Sequence, residues 1–147
     1  MSATRVTVCL THPIQYFAPW FRYIAAHRPE LELSVLYMVQ PDAAQQGTGF
    51  DRAFTWDVPL TEGYHHRFLR TQADASVSSD AFFGVDVPEV GEAIAETEPD
   101  VVLVPGWHSV SQLHALRACR RLGVPAIYRG DSNLITAPRG LDRKSVV

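Results

Sequence analysis

Three short runs hold the residues whose types could do chemistry: Thr11-His12-Pro13-Ile14-Gln15-Tyr16, Pro105-Gly106-Trp107-His108-Ser109 and Arg129-Gly130-Asp131-Ser132-Asn133. Each follows an apolar, strand-like stretch, and in open α/β sheets ligands bind beyond the carboxyl ends of the strands. Gly106, Trp107 and His108 precede a helix start, where backbone N–H groups and the positive dipole end receive an anionic or hydroxyl-rich ligand. Trp107 can stack on a sugar ring, or pack over the sheet edge while His108 only hydrogen-bonds the turn. Arg129 offers a fork for phosphate or carboxylate, or an ion pair with Asp131 two residues on. Ligand contact is the reading for His12, Gln15 and Tyr16, with Tyr16 as the first core residue of a helix as its alternative. No pair of carboxylates suited to general acid and base work is identifiable.

Several chemistries are disfavoured by what these runs lack. The turn after the first strand has no glycine, so there is no GxGxxG pattern, and no P-loop occurs; NAD or ATP held through its phosphates is not expected. His12-Pro13 begins like the His-Pro-Asp-Asp-Glu metal motif of N-acetylglucosaminyl deacetylases. Ile14, Gln15 and Tyr16 stand where that motif has carboxylates, which a hard or borderline metal needs. His65 and His66 are adjacent on a strand and point to opposite faces, and no His-Glu-x-x-His spacing exists, so no metal site is expected. Cys9 and Cys119 show no paired spacing and read as buried thiols.

The elements that must position these runs follow from pattern. Val6 to Leu10 is a short β-branched strand, and Phe17, Phe21, Ile24 and Ala25 then share one face of a helix beginning near Tyr16. Pro19 is tolerated in its first turn and Pro29 stops it. Leu31 to Met38 is a second strand. Phe54, Trp56, Val58 and Leu60 alternate as an extended segment, and Tyr64 to Leu69 is a third strand. Loops run from Val39 to Arg52 and from Thr71 to Gly84. Asp86 as N-cap, Pro88 in the first turn and Glu89 as the returning partner start a helix with Val90, Ala93, Ile94 and Thr97 on its inner face. Val101 to Val104 is apolar throughout and expected at the centre of the sheet. Ser109 and Gln112 form a capping box. Leu116, Cys119 and Leu122 make the stripe of that helix, and Arg117, Arg120 and Arg121 complement its negative end before Gly123. Ala126 to Tyr128 is the last strand. The result is an α/β, Rossmann-like domain, a mostly parallel sheet with helices on both faces.

A chain of 147 residues, 46% hydrophobic and 20% charged, suits one folded domain. Its net charge of -3 supplies no global basic field, so nucleic acid is not an expected partner. The start lacks a secretory apolar stretch and a spanning helix, which makes the cytoplasm the expected location. Leu141 to Val147 resemble a helix just beginning, so the chain reads as a fragment of a longer one.

The runs HPIQYFAPWF at 12–21, FTWDVPLTEG at 54–63, PDVVLVPGW at 99–107 and RGDS at 129–132, taken together, resemble the N-terminal domain of family-4-like glycosyltransferases with the B-type, two-Rossmann-domain fold. The resemblance covers nearly the whole chain. It implies transfer of a sugar from a nucleotide-sugar donor to an acceptor, usually with retention of configuration, in the service of polysaccharide or glycoconjugate synthesis. This half would hold the acceptor. A C-terminal domain, in cis or as a second subunit, would hold the nucleotide, with no further cofactor and no bound metal. His108 would sit near the transferred sugar as the catalytic residue, with Arg129 and Asp131 on the neighbouring strand end. Peripheral membrane association is compatible with such an enzyme. The absence of a glycine-rich first turn departs from the family pattern and leaves the role of His12 and Gln15 open. The alternatives from other classes are a non-catalytic flavodoxin-like binding or regulatory module and a metal-dependent sugar deacetylase, which bound zinc would revive.

Overall fold

The computed structural model describes residues 2–41, 57–71 and 82–130. Its elements run β1 (Thr4–Leu10), α1 (Phe17–His27), β2 (Leu31–Gln40), β3 (His66–Thr71), α2 (Val90–Glu96), β4 (Val101–Pro105), α3 (Val110–Leu122) and β5 (Ala126–Arg129). This is the order expected from the sequence. The five strands form one sheet in the order β3-β2-β1-β4-β5, and every neighbouring pair is parallel. The fold is α/β and Rossmann-like.

Alternation along the strands divides the core in two. Val8 and Leu10 of β1 and Leu33, Val35 and Tyr37 of β2 pack beneath Phe17, Ala18 and Phe21 of α1. Cys9, Leu36, Met38, Val102 and Val104 point to the opposite face and meet Val90, Ala93 and Ile94 of α2 with Ala115, Ala118 and Cys119 of α3. A strand covered on both faces has to be apolar at successive positions, which explains the runs of Val and Leu. Burying each such side chain fully contributes about 1.5–3 kcal/mol. Both cysteines are buried free thiols, and burial pushes each above its ordinary pKa.

α1 begins where expected, with Tyr16 at its N-cap, and Pro19 falls in the first turn, whose N–H groups have no intrahelical acceptor. The helix ends before Pro29, and the Arg28 N–H closes it on the Ile24 carbonyl at 2.9 Å. α3 ends as its sequence demands: Gly123 takes a left-handed φ of 69°, with Arg120 and Arg121 in the last turn.

Four expectations need correction. α2 starts at Val90 with Glu89 at its N-cap. Asp86 does not cap it, because its carboxylate meets the His114 ring at 3.1 Å, and Glu89 is held by Arg70 instead of returning a capping bond. The third strand lies two residues further on than the alternation around Tyr64 suggests, because Tyr64 turns inward to exchange a 2.7 Å hydrogen bond with the Tyr37 hydroxyl. Residues 57–60 form bends and not a strand, while Phe54 and Trp56 lie outside the described residues. The middle strand is β1, and β4 lies beside it, paired on both edges. Among the described residues no helix is long and apolar enough to cross a membrane.

Candidate functional site

β1 continues through α1 to β2 on one side, while β4 lies on its other side, so the chain changes direction between the carboxyl ends of β1 and β4. Such a switch point opens a crevice, because the turns leaving the two strands diverge. A cavity of about 160 Å³ lies there. It is an order of magnitude larger than the ~10–15 Å³ a water needs and smaller than the ~300–1,000 Å³ of a complete small-molecule site. From the β1 side it is lined by Thr11, Ile14, Tyr16 and Phe17, and from the β4 side by Gly106, Trp107, His108 and Gln112.

The turn after β4 is built tightly. Gly106 takes φ 95°, and its N–H donates to the Arg129 carbonyl at 2.7 Å, which ties β4 to β5. Gln112, 1% exposed, reaches back under the turn: its Nε2 donates to the Pro105 carbonyl at 2.6 Å, and its Oε1 accepts the Ser109 N–H at 3.2 Å. The Ser109 side chain faces the Gln112 backbone N–H in return, so the expected capping box is present, its Ser109 arm being the looser one, without a full hydrogen bond at Oγ. The Val110 N–H at the head of α3 donates to the Phe82 carbonyl at 2.8 Å. Two of the donors that a ligand at this helix end was expected to use, those of Ser109 and Val110, are therefore already engaged.

The turn after β1 is fixed by the Val39 N–H, which donates to the Thr11 carbonyl at 3.0 Å. The Thr11 hydroxyl, 5% exposed as a residue, shares a 3.0 Å hydrogen bond with His12 Nδ1. Burial first, then the neighbouring His108 imidazole, lowers the His12 pKa below its ordinary value. His108 is exposed at its outer edge, yet enough protein surrounds the ring for desolvation to lower its pKa as well. The pair therefore favours neutral imidazoles, each with one nitrogen donor and one nitrogen acceptor. The Arg129 guanidinium lies 5.6 Å from the centroid of Phe17, which places positive charge above a ring that lines the cavity.

Of the residues singled out in the sequence, Tyr16, Gly106, Trp107 and His108 line the cavity. Tyr16 is 57% exposed at the helix cap, which removes its reading as a core residue; Phe17 takes that part. Among the described residues the His108 ring has no hydrogen bond, so it is not a turn-bonding histidine. Arg129 borders the cavity through Phe17. His12 and Gln15 are not among the lining residues: His12 is bonded to the Thr11 hydroxyl and lies near His108, and Gln15 is half-buried. Asp131, Ser132 and Asn133 lie outside the described residues. Thr11 and Ile14, inside the first candidate run but given no role, line the cavity as well, and Phe17 and Gln112 line it from outside the three runs. The capping pattern at Ser109 and Gln112 put a carboxamide beside the turn, and that signal could have identified Gln112.

Among the described residues no cluster of three or more histidine, cysteine or acidic side chains is placed to hold a metal ion. The arrangement suits recognition of a small hydroxyl-bearing ring by an aromatic wall (Tyr16, Phe17, Trp107), a carboxamide and a neutral imidazole.

No family model matches the chain, and no curated protein matches it. A solved structure that it resembles is that of Phytolacca americana UGT2 complexed with UDP-2fluoro-glucose and pterostilbene, at 16% sequence identity and a TM-score of 0.47. The match covers 90% of this chain and 31% of that one, so the chain spans under a third of the length of the solved neighbour.

Proposed function

We propose that the chain is the acceptor-side domain of a glycosyltransferase with a two-domain, B-type fold, and that the cavity between the ends of β1 and β4 receives the acceptor hydroxyl and part of the transferred sugar. The observation that carries the reading is the meeting of two separated motif runs, 12–21 and 99–107, at one cavity on the switch point of the sheet. That cavity takes about one ring and not a nucleotide-sugar, as expected of half a site completed by a second domain. The nucleotide-sugar is then a co-substrate held on that other domain, in cis or as a separate subunit, and no cofactor is called for. Within the cavity His108 faces the reacting sugar, Trp107 and Tyr16 supply stacking surface, and Arg129 contributes positive charge at the rim, where the nucleotide leaves.

Strand order bears on the competing module reading. A flavodoxin-like sheet runs 2-1-3-4-5, whereas this sheet runs 3-2-1-4-5, the Rossmann half-order.

The test is a donor screen. The product of the natural gene, purified at its natural length, is incubated with UDP-, GDP- and ADP-hexoses, and free nucleotide is measured with and without a mixed acceptor pool. Nucleotide release that accelerates with acceptor supports the reading. No release from any donor, by a product long enough to contain a second domain, contradicts it.

A further inference from the structure

Glycine at position 106 does more than permit a positive φ. A side chain there would place its first carbon 3.1 Å from Gln112 Nε2 and 3.3 Å from His108 Nδ1, tighter than ordinary van der Waals contact. The missing side chain therefore leaves a notch in the cavity wall with a carboxamide nitrogen and an imidazole nitrogen as its sides. Gly106, His108 and Gln112 all line the same cavity, so the notch opens toward a ligand.

Gln112 is the polar anchor of this notch. It is 1% exposed, and its two bonds to Pro105 and Ser109 fix the carboxamide in one orientation. A carboxamide nitrogen carries two N–H donors. Among the described residues one of them reaches the Pro105 carbonyl, and the second has no protein acceptor. A ligand oxygen arriving there takes the place of water, whereas a ligand carbon leaves the donor without an acceptor at a cost of about 1–3 kcal/mol. His108, whose ring burial keeps toward the neutral form, presents a nitrogen that can donate or accept. One donor beside one adaptable nitrogen matches an alcohol, which accepts from the first and completes its other bond with the second.

We propose that one hydroxyl of a sugar or polyol docks in the notch at Gly106, accepting from Gln112 Nε2 and bonded to His108 Nδ1, which makes Gln112 a specificity-determining residue of the site. This rests on the reading of the cavity as a sugar site and adds which groups select the hydroxyl. A carbon in place of that hydroxyl leaves both nitrogens unmatched, so the notch discriminates between a sugar and its deoxy analogue at one ring position only.

The experiment is an NMR titration of the ¹⁵N-labelled chain with methyl gluco-, galacto- and mannopyranosides. The monodeoxy analogues of whichever hexoside binds are then titrated in turn. The expected result is a shift of the Gln112 side-chain amide signals on binding. One deoxy analogue should bind roughly three- to tenfold more weakly without moving those signals, while the others bind within about twofold of the parent. In Gln112→Met the parent and that one analogue become equal, an outcome that a purely structural role for the amide does not produce, since loosening the turn would weaken all ligands alike. A hexoside that shifts Trp107 and Tyr16 but leaves the Gln112 amide unmoved overturns the notch while leaving the sugar site standing. If no hexoside moves any cavity signal, the sugar-site reading fails and the notch with it.

Discussion

The guanidinium carbon of Arg129 stands 5.6 Å from the ring centroid of Phe17, joining the end of β5 to the first turn of α1 across the rim of the cavity. Phe17 in turn lies almost parallel to Phe21, with centroids 5.6 Å apart. A cation over an aromatic face at a partly exposed site contributes about 0.5–1 kcal/mol. A double-mutant cycle with Arg129→Ala and Phe17→Leu, followed by urea unfolding, should give a coupling energy of that size. Strictly additive effects would sink the assignment.

Two glycines with positive φ should respond differently to alanine. Gly123 has φ 69° and open space where a side chain would go, so Gly123→Ala should cost only the left-handed strain of about 1–2 kcal/mol. Gly106→Ala adds contact with Gln112 and His108 to a φ of 95°, and should cost about 1 kcal/mol more than its counterpart. Equal losses in denaturant midpoint would show that the turn at 106 has more room than its geometry indicates.

Ser109 and Ser111 are both buried at the start of α3, yet only one should matter. The Ser111 hydroxyl donates to the Val85 carbonyl at 2.7 Å and accepts the Val87 N–H at 2.8 Å, stitching the segment before α2 to α3. Ser111→Ala orphans two backbone groups and should cost about 2–4 kcal/mol. Ser109→Ala removes only the looser arm of the capping box, a hydroxyl without a full hydrogen bond, and should cost no more than the ~1 kcal/mol usual at an N-cap. The reverse ranking in thermal unfolding would contradict these hydrogen-bond assignments.

The histidine pair sets a pH dependence. Both folded-state pKa values lie below the ordinary value of 6.5, so the unfolded chain takes up protons first as the pH falls. Stability is therefore complete above about pH 6.5, rises with pH in the interval just below it, and is lost as the pH drops through the folded values. The lowered carboxyls of Glu30 and Glu89 act with the same sign below pH 4.5, in a separate window. His12→Gln should reduce the slope in the upper window to the share left by His108 and leave the lower window as it is. A stability profile unchanged by this substitution between pH 5 and 6.5 would show that His12 is not held neutral by burial.

Much of this architecture was legible because its causes are local. Apolar runs such as Val101 to Val104 mark strands buried on both faces, Pro19 and Pro29 bracket α1, and Gly123 ends α3, each through backbone constraints that travel with the residue. Where reading failed, a distant partner had intervened. Asp86 and Glu89 look like a helix start, but His114 and Arg70, 28 and 19 residues away, claim their carboxylates. Tyr64 fits a strand alternation until the Tyr37 hydroxyl draws it into the core. At the site, His108, Trp107 and Tyr16 stood out because polar and aromatic groups directly after strands are conspicuous. Gln112 did not, since its capping pattern already gave it a local role and only the fold shows that the same amide faces the cavity. His12 was conspicuous for the same reason as His108, and its ring is bonded to the Thr11 hydroxyl, which comes from a residue of the cavity wall.

The most direct test of the central claim is the transfer rate of the natural-length gene product with His108→Ala, measured beside its thermal midpoint. Because His108 is exposed at its outer edge and has no hydrogen bond among the described residues, the fold should be unaffected. The rate should fall by about a hundredfold or more, as expected when a polar group facing the developing charge of a transfer reaction is removed. Unchanged turnover in a fully folded variant would remove His108 from the reaction and, with it, the placement of sugar transfer at the β1 and β4 ends.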